Sequence, residues 1–94
     1  MTVEELRTDL EKIISVLTSS GFDNIDPGTV EKLDKLAAIA GKSGMKQGKS
    51  LIENLSGVMK AIQEGKSKAE SGSVRLTALD FYVKKLLNSK TEDL

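Results

Sequence analysis

Residues 3–17 read VEELRTDLEKIISVL, and their apolar side chains recur every three or four positions. This spacing places the apolar side chains on one face of a helix. Thr2 and Glu5 form a capping-box pattern, in which each side chain accepts a hydrogen bond from the other residue's backbone amide. Gly21 favours a helix end, because glycine readily adopts the left-handed conformation. The pattern predicts a first helix over residues 3–20.

Three further stretches carry the same helical period. Asp26 and Pro27 supply a cap and a first-turn proline for a helix over about residues 27–40. After a glycine-containing break the apolar period resumes over about residues 45–64, and a last stripe predicts a helix over about residues 74–89. Amphipathic segments with short connections pack as antiparallel neighbours. The sequence therefore predicts an all-α fold, a small bundle of about four antiparallel helices.

The connecting segments indicate the domain organisation. Residues 65–72 are small and polar, which predicts a flexible loop, and residues 90–94 lack an apolar period, which predicts a frayed tail. Gly48 lies seven residues before Leu55 on the apolar face of the third helix. A missing side chain there lets another helix approach closely, at a cost in helix propensity of roughly 1 kcal/mol. We expect residues 1–94 to form a single helical domain.

The composition disfavours most familiar enzyme chemistry. The 94 residues include no cysteine and no histidine. Disulfides, thiolate nucleophiles and histidine bases or metal ligands are therefore excluded. No apolar run approaches the roughly 18 residues that span a bilayer, and the N-terminus is acidic where a signal peptide is basic. We expect a cytoplasmic, non-catalytic protein with no catalytic residues, metal, cofactor or membrane partner.

The charges are unevenly distributed along the chain. Residues 1–40 carry eight acidic and four basic side chains, whereas residues 41–94 carry six acidic and ten basic ones. Lys42, Lys46 and Lys49 surround the predicted start of the third helix, where free backbone amides favour an anion. One interpretation is a site for phosphate, nucleic acid or an acidic protein. The other is that these lysines only solvate the outer face of the bundle.

Two adjacent aromatic residues indicate an apolar patch. Phe81 and Tyr82 point about 100° apart on a helix, so they cannot both face the same core. If Tyr82 faces inward, Phe81 lies outside with Leu76 or Val74, in an exposed patch of the kind that marks an interface. The alternative is that the loop at residues 65–72 covers Phe81.

These patterns favour a protein–protein interaction or self-association module without catalytic activity, whose partner is another protein or a second copy. Such a module needs only a rigid helix face. The acidic and basic parts of the chain would suit a dimer, although the same charges can also meet within one monomer. The alternative is a nucleic-acid or phosphate-binding domain that uses the lysine-rich region around residues 42–49.

Overall fold

The computed structural model describes residues 2–22 and 25–92, with side chains through Lys85. This part of the chain forms helices and no strand, and the predicted all-α bundle is confirmed. The four helices are α1 (Val3–Ser20), α2 (Pro27–Lys42), α3 (Lys46–Gln63) and α4 (Ala69–Glu92). In the segment predicted as a frayed tail, the backbone of residues 90–92 continues α4, and residues 93–94 lie outside the described residues.

The first helix begins and ends where its local sequence predicts, and the second begins at the predicted Pro27 but ends at Lys42, two residues later than predicted. The Glu5 amide donates to the Thr2 hydroxyl at 3.1 Å, and the Thr2 amide donates to the Glu5 carboxylate at 3.2 Å. The Asp26 carboxylate accepts from the amide of Gly28 at 2.9 Å and caps α2. Gly21 follows α1 with a φ of 72°, a conformation that glycine adopts without steric cost. Local hydrogen bonding therefore sets these boundaries.

Contacts along α2 and α3 show that these two helices run antiparallel. At one end, a Cβ added to Gly41 would lie 3.0 Å from the Lys49 side chain, so the end of α2 meets the start of α3. At the other end, the side-chain amide of Gln63 donates to the Ile25 backbone carbonyl at 3.2 Å. The residue preceding the α2 cap therefore meets the last turn of α3.

The remaining contacts complete an up-down-up-down bundle. A Cβ added to Gly48 would lie 2.9 Å from both Cε2 and the hydroxyl oxygen of Tyr82, which brings the start of α3 against the later part of α4. The sequence predicted that another helix approaches closely at Gly48, and the group that packs there is the Tyr82 ring of α4. The start of α4 meets the end of α1, where Phe22 packs on Gly72. Each helix thus packs on two neighbours, with α1 between α2 and α4 and with α3 opposite it.

The core lies along the axis of the bundle and draws on all four helices. Leucine dominates the core, and many of its members are fully inaccessible to solvent. The burial of these apolar surfaces is the main favourable contribution to folding in a chain that has no disulfide. The buried apolar residues are Leu6, Leu10, Ile13, Ile14, Leu17, Phe22, Val30, Leu33, Leu36, Ala37, Ala40, Ile52, Leu55, Met59, Leu76, Leu79 and Val83.

Helix α4 begins at Ala69, five residues earlier than the sequence predicts. Residues 69–72 of the predicted 65–72 loop are therefore helical. Gly72 is buried, and a Cβ added to it would lie 2.9 Å from two atoms of the Phe22 ring. Glycine is a poor helix former, but its bare surface lets the ring pack directly on the helix. This tertiary contact explains a helical turn that the local composition disfavours.

Candidate functional site

Helices α3 and α4 form an open groove on the surface of the bundle. Two features of α4 shape it: the small side chains of Thr77 and Ala78 form part of the groove wall, and Phe81 projects beside them. The groove has a volume of about 440 Å³. We call it the α3–α4 groove, and its lining residues are Gln47, Leu51, Val74, Thr77, Ala78, Phe81, Tyr82 and Lys85.

Two large apolar side chains of α4 are mostly exposed at this groove. Phe81 is 63% exposed and Val74 is 66% exposed. They lie seven residues apart, which is close to two helical turns, so they share one face of α4. Lys85 Nζ lies 5.1 Å from the centroid of the Phe81 ring, within the range of a cation–π interaction. With Phe81 this exposed, residues 65–72 do not cover it.

The expected grouping of Leu76 with this patch is wrong. Leu76 is only 8% exposed and belongs to the core. Two residues along a helix correspond to a rotation of about 200°, so Leu76 and Val74 point to nearly opposite sides of α4. Leu76 instead lies three residues before Leu79 and seven before Val83, both of which are buried. This spacing of three and seven residues indicates that Leu76 faces the core with Leu79 and Val83.

The contribution of α3 to the groove was not predicted from the sequence. Leu51 is half-buried beside the fully buried Ile52. Two adjacent apolar residues on a helix cannot both face the core, so one of them must turn towards the edge. The same reasoning identified Phe81 beside Tyr82. Applied to the Leu51 and Ile52 pair, it would have indicated a second apolar position at the surface.

Tyr82 lines the α3–α4 groove and packs against Gly48 of α3. Its ring is half-buried against Gly48, and this burial raises the pKa of the Tyr82 phenol, while a hydrogen bond with the Gly48 backbone lowers it by less. The net pKa is therefore above the usual value of about 10. The hydroxyl stays protonated and neutral at physiological pH.

We expect the folded protein to titrate Tyr82 at a higher pH than the denatured chain does. Tyr82 is the single tyrosine in the sequence, so the ultraviolet absorbance of phenolate reports this group alone. Because the pKa of Tyr82 is higher in the folded protein than in the denatured chain, the protonated phenol favours the folded state below about pH 10. This stabilisation is lost as the pH rises through the folded pKa. The control is the same titration in denaturant. A folded midpoint at or below the denatured one would contradict the burial of this ring.

The three candidate anion-binding lysines do not form a purely cationic site. Lys42 and Lys49 line a second groove of about 550 Å³ between α2 and α3, and Lys46 is not among its lining residues. The same groove is lined by the carboxylates of Asp34 and Glu53. All three lysines are exposed. The carboxylates offset the positive potential that a phosphate group would need.

Asp34 keeps its negative charge in this second groove. Its carboxylate accepts a hydrogen bond from the Ser56 hydroxyl at 2.6 Å and another from Lys60 Nζ at 3.0 Å. These two hydrogen bonds, the one from Ser56 first, lower the pKa of Asp34 below its usual range. The buried Ser56 hydroxyl is thereby satisfied. Asp34 therefore stabilises the packing of α2 on α3.

Asp80 lies inside α4 and pairs with a lysine of the same helix. Because α4 begins at Ala69, Thr77 lies inside the helix, and its hydroxyl donates to the Ser73 carbonyl at 2.9 Å. Asp80 forms an ion pair with Lys84 at 3.1 Å, one turn further along. Neither Thr77 nor Asp80 therefore caps the start of α4.

The described residues offer neither a membrane-spanning helix nor a metal cluster. No helix in this part of the chain is long and apolar enough to cross a bilayer. No group of three or more acidic side chains within it is arranged to hold a metal ion. No protein-family model matches the chain, and no curated protein or solved structure is significantly similar to it. The case for a function therefore depends on the surfaces described above.

Proposed function

We propose that this chain is a non-catalytic protein–protein interaction module that binds through the α3–α4 groove. The observation that carries the proposal is the exposure of Phe81 and Val74 beside this groove. An exposed phenylalanine keeps a large apolar surface in water, and covering it on binding is favourable. Aromatic side chains are enriched at the centres of protein interfaces for this reason.

The shape of the groove favours a helix as the bound element. Two packed helices leave a furrow between them, and a third helix can place apolar side chains into it every three or four residues. Among the described residues that line the groove, Lys85 is the only charged one. A carboxylate on the bound helix near Lys85 would complement this charge. The chemistry that fits is therefore a helix with apolar anchors and an acidic residue beside them.

The nucleic-acid or phosphate alternative has weaker support. Its candidate residues are Lys42, Lys46 and Lys49, two of which share their groove with Asp34 and Glu53. A phosphate group near these lysines would also approach two carboxylates, which oppose its binding. The first turn of α3 has no side-chain cap, which favours an anion, but a helix start alone is weak support. We therefore favour the protein-binding role.

Site-specific photo-crosslinking tests the proposal. We expect a photoreactive benzoylphenylalanine in place of Val74 to form protein adducts of discrete mass in the cells that naturally make this protein. Adding Phe81→Glu should reduce the yield by about tenfold or more, because a buried aromatic anchor is worth roughly 2 kcal/mol or more. The matched control is the same probe at Val16, a valine on α1 that is 55% exposed.

The outcomes distinguish specific binding at the α3–α4 groove from non-specific crosslinking. Adducts from Val74 that depend on Phe81 and are absent from Val16 would support the proposal. Equal adducts from both positions, adducts that persist with Phe81→Glu, or no adducts from Val74 would overturn it. Circular dichroism of Phe81→Glu should show native helix content, since the side chain is already exposed.

A further inference from the structure

We propose that the helix bound at this surface is α4 of a second copy, paired antiparallel about a two-fold axis between Thr77 and Ala78. The inference rests on the proposed function and names its partner. It is carried by one stripe of α4, whose members are Glu70, Val74, Thr77, Ala78, Phe81 and Lys85. At 100° per residue these six positions fall within an arc of about 100° on the helix surface.

The stripe is open to solvent over its whole length. Ala78 is half-buried, and the other five members are exposed. From Glu70 to Lys85 the stripe is about 22 Å long, at 1.5 Å per residue. Neither Glu70 nor Lys85 belongs to an ion pair among the described residues. Within the described part of the chain, neither charge is therefore paired with an opposite charge.

The order of side chains along the stripe is complementary to itself. In an antiparallel pair centred between Thr77 and Ala78, Phe81 of each copy lies opposite Val74 of the other. In the same register, Lys85 of each copy lies opposite Glu70 of the other. Two-fold symmetry repeats every contact, so one pairing provides two apolar contacts and two ion pairs. The small Thr77 and Ala78 side chains lie at the axis, where the two backbones come closest.

Other arrangements of the same two helices lose this match. A parallel pair places Lys85 opposite Lys85 and Glu70 opposite Glu70, which repel. An antiparallel pair shifted by one turn places Lys85 opposite Val74 in one direction, or Glu70 opposite Phe81 in the other. The centred antiparallel register therefore satisfies the apolar and the charged positions together. This charge complementarity is what favours a second copy over an unrelated helix.

A charge-reversal experiment tests the register, with the solution mass of the full chain measured by light scattering over a concentration series. The unmodified protein should form a dimer that persists at high salt, because its centre is apolar. Glu70→Lys alone and Lys85→Glu alone each place like charges opposite each other twice per dimer. We expect each to raise the dimer dissociation constant about tenfold, because two attractive pairs are replaced by two repulsive ones.

Mixing the two variants provides the decisive comparison. In an equimolar mixture, a heterodimer of Glu70→Lys with Lys85→Glu again has opposite charges at both positions, so the mass should return to that of a dimer. The double variant Glu70→Lys/Lys85→Glu should also dimerise. A purely structural effect of either substitution would not be reversed by mixing. Phe81→Glu should be monomeric, and Val16→Glu on α1 should behave as the unmodified protein does.

The results distinguish an incorrect α4 register from the absence of self-association. A dimer that resists both single reversals, or that mixing fails to restore, overturns the α4 register. A monomer at every concentration overturns self-association, while the photo-crosslinking from Val74 still decides the proposed function separately. A dimer insensitive to Phe81→Glu, together with no crosslinking from Val74, overturns both.

Discussion

Replacing Leu55 with alanine will lower the free energy of unfolding by about 2–5 kcal/mol. Leu55 is fully inaccessible to solvent and lies in α3, which packs on both α2 and α4. Truncation there loses apolar burial and leaves a cavity that the neighbouring helices fill only in part. A domain of this size has a stability of about 5–15 kcal/mol, so the loss is a large share of the total. Urea denaturation followed by circular dichroism measures it.

The control for this prediction lies one turn away on the same helix. Leu51→Ala removes the same atoms from a half-buried position in the α3–α4 groove, so its destabilisation should be clearly smaller. Equal losses for the two variants would contradict the assignment of Leu55 to the core and Leu51 to its edge. Leu51→Ala should also weaken binding at the groove, which Leu55→Ala should not do while the protein remains folded.

Replacing Gly72 with alanine will destabilise the protein by about 1–3 kcal/mol, although alanine is the better helix former. The new Cβ would lie 2.9 Å from two atoms of the Phe22 ring, which is buried. The ring or the helix must shift, and the packing of α1 on α4 is weakened. The expected sign is therefore opposite to the one that helix propensity alone predicts.

Gly57 is the matched control for this substitution. It is an exposed glycine inside α3, and an added Cβ would meet no atom within 4 Å. Gly57→Ala should therefore stabilise the protein by about 0.5–1 kcal/mol. Thermal and urea unfolding of both variants measure the difference. If Gly72→Ala also stabilises the protein, the contact between Phe22 and Gly72 is not tight, and the early start of α4 needs another explanation.

Gly48 and Gly72 show which packing features a local sequence pattern can predict and which it cannot. Gly48 lies on the apolar face of a long helical stripe, so the sequence predicted a close approach there. Gly72 lies among small polar residues, and the same reasoning placed it in a loop. Its contact with Phe22, fifty residues earlier, is what favours a helical backbone at this position. Helix propensity is a weak local preference, and packing of this kind overrides it.

The candidate sites also combine features that the sequence predicted with features that only the tertiary structure shows. Adjacent apolar residues on α4 predicted that one aromatic side chain would face outward, and Phe81 is exposed. The other half of the groove comes from Leu51 on α3, thirty residues away, and no local pattern brings the two together. The lysines appeared as a cationic cluster along the chain. Across the helix interface, Lys42 and Lys49 share a groove with Asp34, which changes the charge of the site.

Helical periodicity and capping residues determined the number, the faces and most of the boundaries of the helices, because these depend on residues within one or two turns of each other. The start of α4, the partners of Gly48 and Gly72, and the residues that share each groove were decided by tertiary structure. These features depend on which side chains meet across helices. That choice is set by the packing of the whole core, to which every helix contributes.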